Sequence, residues 1–434
     1  MSWMQQWGDR SPDPGADRGD RLAAVKVLIV GSGGREHALA WRLAHSGPHV
    51  EIHAAPGNPG IAGIGHCHPV RSDDLEGLLD LARQLRADLV VVGPEAPLVA
   101  GLADTLRHAG IPVFGPSGAA ARLEGSKSFA KDVLLSAGVP TALALLKPNA
   151  PCVIKADGLA AGKGVFVCLT EEELADGLRN VAAFPGEVVI EELLVGSEVS
   201  LFALCDGARA LPLLPAQDFK RAFDGDSGPN TGGMGAYSPV PGIGRSDVEE
   251  LVDLVHRPVL EEMARRGTPF VGLLYAGLML TADGPRVLEF NTRFGDPETQ
   301  VVLPLLEGDL LGALAEAAAG DLAGADLGVS AQAAVSVVVA TGDYPAHGAA
   351  GSEITGIAEA EAAGALVFHA GTALRDGRLV TNGGRILNVT GSGSDLAAAR
   401  AQAYAGVRRI GFTGARHRTD IALAASTKEI ANRG

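Results

Sequence analysis

Apolar residues along this chain fall into two alternating arrangements. Short, largely apolar runs, interrupted only at Lys26 and His53, end at glycine or proline, and stretches with apolar residues three and four apart stand between them. Val25–Val30, Ile52–Ala55, Leu89–Val92 and Val113-Phe114 are runs of the first kind; Ala38–Ala44, Leu75–Arg86 and Val99–His108 are of the second. Unbroken apolar runs bounded by turn residues suit strands buried on both faces, and helices between them predict βαβ units and a parallel sheet. The first part of the chain therefore reads as a doubly wound α/β domain. Its loops Gly31-Ser32-Gly33-Gly34, Pro56-Gly57-Asn58 and Gly93-Pro94-Glu95 all follow strands, on the side where open α/β sheets bind ligands.

The pattern then changes. Ala119–Leu123 and Ser128–Ala137 are helical in spacing. Next come a strand, a glycine loop and a strand, read directly as VIKADGLAAGKGV over 153–165. Val188–Glu192 and Val199–Leu204 are further strands, and Asp218–Tyr237 is a long polar, glycine-rich loop. Gly272–Leu280 and Pro285–Phe290 form a hairpin across Ala282-Asp283-Gly284. Strict alternation would put Leu288 and Phe290 on one face and Glu289, Asn291 and Arg293 on the other. The last part is a small β-rich unit: Ala334–Ala340, Leu366–His369, Leu379-Val380 and Arg385–Val389 are strands, Asn382-Gly383-Gly384 a turn and Asp395–Arg408 a helix.

Composition narrows the function. The 434 residues carry a formal net charge of -15, with only 4% aromatics. This argues against a nucleic-acid partner, which needs basic surface and stacking platforms. No apolar run reaches membrane-spanning length. Cys67, Cys152, Cys168 and Cys205 show no metal or disulfide spacing, so they read as reduced, mostly buried thiols of an intracellular protein. Residues 1–24, rich in Asp, Arg, Pro and Gly, read as a disordered leader.

Candidate chemistry lies in the middle. Gly158, Gly162 and Gly164 let backbone N–H groups approach an anion, and Lys155 and Lys163 add charge; the loop reads as a flap over a triphosphate. It is not a Walker A loop, because Gly164 stands where Ser or Thr should follow Lys163. An ordinary hairpin turn is the blander reading. Glu191 and Glu192 end an apolar run, as a solvated turn or as acceptors for an adenine amino group and a ribose. Glu289 and Asn291, hard oxygen donors two residues apart, suit Mg²⁺, with Mn²⁺ as an alternative; Arg293 beside them suits a carboxylate or phosphate. Glu95 is a loop acid at a strand end. Gly33 and Gly34 open a helix, where a phosphate can sit, or simply make a tight turn. Glu36 stands where a dinucleotide fingerprint has its third glycine.

Together these stretches resemble the ATP-grasp ligases, and within them the phosphoribosylamine–glycine ligase (glycinamide ribonucleotide synthetase) family. The resemblance rests on VLIVGSGGREHALAW, APGNPG, VVGPEAPLVAGL, FGPS, LEGSKSFAKD, VIKADGLAAGKGV, the EE-L hinge, GPNTGGMGAYSPV, GLLYAGLM, EFNTRFGDPETQ, and VFHAGT followed by TNGGRIL, spanning Val25 to about Asp420. It implies an N-terminal α/β domain over 25–125 and an ATP-grasp domain over 126–333, with a mobile flap at about 146–213. A β-rich domain over 334–430 follows. It implies that glycine is phosphorylated by ATP and then joined to 5-phosphoribosylamine; the enzyme is expected in the cytoplasm, as a monomer, with an oligomer as the alternative. Lys127, Lys155, Gly158, Gly162, Lys163, Gly164, Glu191, Glu192, Leu194 and Glu198 would contact ATP, and Glu289 and Asn291 the metal. Gly33, Gly34, Asn58, Glu95, Asp218 and Lys220 would face phosphoribosylamine. Arg293, with the Gly295-Asp296-Pro297 loop, would face glycine or the transferring phosphate, and Arg293, Lys163 and Asp296 would be catalytic.

Three departures from the family pattern stand out. The link from Pro140 to Val153 is short, Phe219 replaces the histidine of QDHK, and Gly272–Leu280 carries no acid for a second metal. Rival readings at this stage are another ATP-grasp ligase, such as a carboxylase component or a formyl-transferring enzyme, a dinucleotide-dependent oxidoreductase, and a binding module that has lost its chemistry.

Overall fold

The computed structural model describes residues 24–47, 49–159, 164–184, 186–346, 348 and 350–433. All but the last residue of the expected leader therefore lies outside the described residues, as do Gly162 and Lys163 of the glycine loop.

The N-terminal region contains β1 (Val25–Gly31), α1 (Gly34–Ala44), β2 (Val50–Pro56), β3 (His66–Cys67), α2 (Leu75–Leu85), β4 (Leu89–Val92) and β5 (Val113–Phe114). The strands form a parallel sheet in the order β3-β2-β1-β4-β5. Val27 and Ile29 enter one core cluster while Leu28 and Val30 enter another, which is why β1 is unbroken apolar from Val27 to Val30, after Lys26 at its half-buried start. The order reverses between β1 and β4, so their carboxyl ends frame a crevice. The helix expected over Val99–His108 is instead two, Glu95–Val99 and Leu102–His108. Gly101, at φ +85°, breaks it where an L side chain would be strained.

Helices α3 (Gly118–Gly125) and α4 (Lys127–Ser136) follow, with Ser117 and Ser126 accepting from N–H groups of their first turns. Strands β6 (Cys152–Ala156), β7 (Val165–Cys168) and β8 (Val188–Glu192) make a separate antiparallel sheet, ordered β7-β6-β8 and covered by α5 (Glu171–Val181). The fully buried core of this unit is Cys152, Ile154, Ala156, Cys168, Leu174 and Val181. The short link before it is tied by isolated bridges, Thr141 to Val287 and Ala144 to Glu191.

The chain continues through β9 (Ser197–Asp206) and β10 (Ala210–Pro212). The expected polar loop at Asp218–Tyr237 is largely strand: β11 (Gln217–Asp218), β12 (Arg221–Phe223), β13 (Ser227–Asn230) and β14 (Gly235–Ser238). Pairing with distant strands gives order to residues that show no apolar period of their own. The β12–β13 hairpin is pinned by Arg418, whose guanidinium meets Arg221 O at 3.1 Å and Asp226 at 2.7 Å. After α6 (Arg245–Arg265), β15 (Val271–Thr281) and β16 (Gly284–Asn291) complete a sheet in the order β10-β9-β15-β16.

The hairpin of β15 and β16 departs from strict alternation. Gly277 pairs with Glu289 but Leu278 pairs with Val287, so Leu288 is the extra residue of a bulge. The buried pair is therefore Val287 and Phe290, not Leu288 and Phe290.

After α7 (Leu310–Ala319) come β17 (Ala333–Thr341), β18 (Ala350–Glu353), β19 (Leu366–His369), β20 (Thr372–Arg375), β21 (Arg378–Asn382), β22 (Arg385–Gly393) and α8 (Leu396–Val407). The main sheet here runs β11-β14-β17-β22-β19, so two of its strands come from far earlier in the chain. One hydrophobic cluster runs from Val27 through Leu273 and Leu314 to Ala334 and Phe368, joining all these regions except the β6–β8 unit. All four cysteines are free; Cys67 is exposed and the other three are buried.

Candidate active site

The cleft of interest lies between the β6–β8 unit and β16. Strand β6 carries Lys155, nearly buried, whose Nζ donates to Glu191 Oε2 at 2.6 Å and to Leu288 O at 2.9 Å. The other oxygen of Glu191 pairs with Lys131 Nζ at 2.6 Å. Glu191 thus holds two lysines in place with both of its oxygens. Alternation along β8 sends Glu192 the other way, where its Oε1 accepts from the Leu143 N–H at 2.9 Å. Leu194 is half-buried in the connection to β9.

Lys127 opens α4 and donates to Gly158 O at 3.1 Å. Asp157 ties the base of the glycine loop to this helix, accepting from Ser128 Oγ at 2.6 Å and from the Lys127 N–H at 2.5 Å. Burial acts to raise the Asp157 pKa, but these hydrogen bonds outweigh it and hold the carboxylate charged. Gly158 adopts φ +101°, and Gly164 accepts from the Ala156 N–H at 2.8 Å as the chain enters β7.

Across the cleft, Glu289 lies opposite Gly277 of β15. Burial would raise its pKa, but Lys220, Lys155, Lys127 and Arg293 together hold it below the ordinary carboxylate value. Among the described residues no side chain hydrogen-bonds to it. Asn291 Oδ1 accepts from Arg293 Nη2 at 3.2 Å. A charged carboxylate and an oriented amide oxygen, ringed by cations, are a donor set that fits a hard divalent ion bound to phosphates. Among the described residues, no three His, Cys, Asp or Glu side chains gather as an all-protein metal cage.

Lys220 pairs with Glu198 at 2.5 Å. Asp218 is raised above its usual range, by burial first and by the nearby Glu298 and Glu198, with Lys220 opposing. Glu298 is buried and accepts from Tyr275 Oη at 2.8 Å.

The structure gives the N-terminal glycines a protein partner. The Gly33 N–H donates to Glu36 Oε2 at 2.6 Å, and Arg35 Nε reaches the other oxygen at 2.6 Å. A Cβ on Gly31 or Gly93 would strike the Glu36 side chain, so these glycines make room for a buried carboxylate. Gly34 backs onto Asn388 and Gln300. Asn58 Nδ2 donates to Ser32 O and His369 O, both at 2.9 Å, and so ties the first turn to β19.

Glu95 Oε2 meets Arg293 Nε at 3.3 Å, and Arg293 and Arg35 outweigh burial in holding its pKa below the ordinary value. Asp296 is held by Arg385 at 3.0 Å and by Gln300 at 2.8 Å, within the Gly295-Asp296-Pro297 turn whose proline packs on Gly233. The structure thus gathers Lys127, Lys155, Lys220, Glu289, Asn291 and Arg293 at one cleft, and places Gly33, Gly34, Asn58 and Asp296 in seams between regions.

Sequence reasoning missed Lys131, Asp157, Glu124 and Arg385. Lys131 had a signal, since it follows Lys127 by one helical turn. Glu124 drew no reading of its own, and its contact with Arg293 at 3.0 Å joins positions far apart in the chain.

Models of the phosphoribosylglycinamide synthetase N domain, ATP-grasp (A) domain and C domain match residues 25–124, 125–299 and 334–424. The chain is 54% identical over 418 residues to a phosphoribosylamine–glycine ligase of Streptomyces coelicolor, covering 93% of this chain and 100% of that one. It is 48% identical to part of the trifunctional purine biosynthetic protein adenosine-3 of Gallus gallus, covering 92% of this chain and 42% of that protein. The crystal structure of phosphoribosylamine–glycine ligase from Thermotoga maritima superposes with a TM-score of 0.79 at 36% identity, covering 92% of this chain and all of that one.

Proposed function

We propose a function from one premise: the chain belongs to the phosphoribosylglycinamide synthetase family. It is an ATP-dependent ligase that joins glycine to 5-phosphoribosylamine, giving glycinamide ribonucleotide, ADP and phosphate in purine biosynthesis. The observation that carries the site is the ring of Lys127, Lys155, Lys220 and Arg293 around the charged Glu289.

In this reading a glycine carboxylate oxygen attacks the γ-phosphorus and ADP leaves. The amine of phosphoribosylamine then attacks the acyl carbon, phosphate leaves, and the nitrogen loses a proton. No covalent enzyme intermediate is needed, so the protein contributes position and charge. Lys127 and Lys155 hold the nucleotide phosphates, with Glu191 and Lys131 fixing Lys155. Glu289 and Asn291 would hold Mg²⁺, which would supply charge neutralisation to the phosphates. Lys163, with Gly162, closes over the phosphates and keeps water from the acyl phosphate. Lys220 and Asp218 face the amine-bearing substrate with Glu95. The cysteine usage, the small-molecule substrates and the absence, among the described residues, of any helix long and apolar enough to cross a membrane support a cytoplasmic enzyme, which we take to act as a monomer.

The test is ADP release from MgATP and glycine, with and without freshly made phosphoribosylamine. ADP formed only with both acceptors present, with glycinamide ribonucleotide as product, is the expected result. ADP release that depends on bicarbonate or formate instead would return the acceptor to another ATP-grasp chemistry.

A further inference from the structure

Arg293 is surrounded by acceptors from the protein itself. Its Nε meets Glu95 Oε2 at 3.3 Å, Nη1 donates to Phe294 O at 3.2 Å, and Nη2 reaches Asn291 Oδ1 at 3.2 Å and Glu124 Oε1 at 3.0 Å. These contacts are not equivalent. Glu95 is the more exposed of the two acids, with 30% of its side chain accessible against 8% for Glu124, and it holds by the longer contact. Glu124 is also anchored, its Oε2 accepting from the Thr292 N–H at 2.8 Å and from Thr292 Oγ1 at 3.1 Å.

Glu124 therefore grips both residues that follow Asn291. It stands in the last turn of α3, three residues before Lys127. A carboxylate there links the lysine side of the cleft to the strand that carries Glu289 and Asn291. An amide oxygen can accept from Arg293 with one lone pair and face a cation with the other. The Arg293 contact thus decides that Asn291 presents oxygen and not nitrogen. If Glu124 were lost, the inner anchor of Arg293 would go, and Asn291 would be free to turn.

We propose that Glu124 is a positioning residue, fixing Arg293 and through it the metal-facing orientation of Asn291. The inference rests on the assignment of Glu289 and Asn291 as metal ligands. Its test is Glu124→Gln in the full chain, a change that preserves shape and the hydrogen bonds to Thr292 but removes the charge facing Arg293. Mn²⁺ binding is read by electron paramagnetic resonance in the presence of a non-hydrolysable ATP analogue, alongside metal-free ADP binding and steady-state kinetics.

The expected result is about a tenfold rise in the Mn²⁺ dissociation constant, in the range for outer-shell partners, a similar fall in kcat, and metal-free ADP binding within twofold of wild type. Mn²⁺ affinity within twofold of wild type overturns the inference, whatever happens to kcat. Glu289→Ala is the companion measurement. Mn²⁺ binding unchanged in both variants overturns the metal assignment and this inference with it; unchanged only in Glu124→Gln, it overturns the inference alone. Should Glu124→Gln fail to fold, Thr292→Val removes one hydrogen bond to Glu124 and is expected to weaken Mn²⁺ about threefold. No shift there also overturns the inference.

Discussion

The two walls of the cleft rest on unequal foundations. On one side, β16 is backed by β15, β9 and α6, and its Val287 and Phe290 enter a cluster of more than a dozen buried apolar side chains. On the other, β6 and β8 rest on six fully buried residues and one helix, and Val167, Leu169, Leu178 and Val188 of this small unit are exposed. Each wall nonetheless carries charges that face the cleft, Glu289 and Arg293 on the first and Lys155 and Glu191 on the second. Local stability follows the number of buried apolar contacts. The difference therefore teaches that the wall holding Glu289 and Asn291 is the more firmly packed of the two, while the wall holding Lys155 can open on its own smaller core once the bond from Lys155 to Leu288 O is given up.

The sharpest way to break this comparison is Glu289→Ala. It removes a carboxylate from the stable wall without touching the apolar face, so turnover should fall by about a thousandfold or more while the melting temperature stays within a degree or two of about that of wild type. Near-normal turnover at saturating Mg²⁺ would put the metal elsewhere.

Next is a pair of equal truncations. Leu274→Ala, in the large core, should cost about 2–5 kcal/mol of global stability. Ile154→Ala, in the small core, should leave the main melting transition nearly in place and instead speed hydrogen exchange across β6, β7 and β8. A common loss of the main transition in both variants would show that the two walls unfold together.

Lys163→Ala is expected to raise the KM for ATP by about tenfold, with phosphoribosylamine binding normal. The reverse pattern would reassign that loop.

At neutral pH the effect that vanishes altogether is a pH dependence confined to one side of the comparison. His37 is pushed down to about 3 by burial first and then by His369, and His369 and His256 are each pushed by burial to about 4. His37 Nδ1 accepts from the His369 N–H at 2.8 Å, a bond that needs the neutral ring. All three are neutral in the fold, and each takes up a proton on unfolding below its unfolded value near 6.5. Their contribution is therefore complete above pH 6.5 and is lost progressively as pH falls toward 4. Residues 146–213 contain no histidine. Chemical denaturation of the main transition should shift across this window, while exchange in β6–β8 should not follow these rings.

Much of this architecture is written locally. The apolar runs of β1 and β4 and the helical spacing of α1 and α2 state their own burial, and the EFN strand shows its oxygen donors by alternation. What escaped reading depends on partners remote in the chain. The bulge at Leu288 is set by the pairing with β15, β14 becomes a strand because β17 is there to receive it, and β11 because it pairs in turn with β14. A polar residue such as Glu124 looks the same in a one-dimensional pattern whether it meets water or a buried arginine. The glycine turn misled in a more specific way. A loop shaped for an anion was legible, but the carboxylate of Glu36, which fills part of it, comes from the chain itself.

The crossing of β11 and β14 into the C-terminal sheet bears on how this chain can be divided. A cut just before β17 would remove the partner of β14 and leave both pieces with open strand edges, which invite aggregation. The three named stretches are thus poor candidates for independent expression, exchange between homologues or rearrangement by recombination. For an engineer, as for a genome joining this gene to another, the three regions are portable only together.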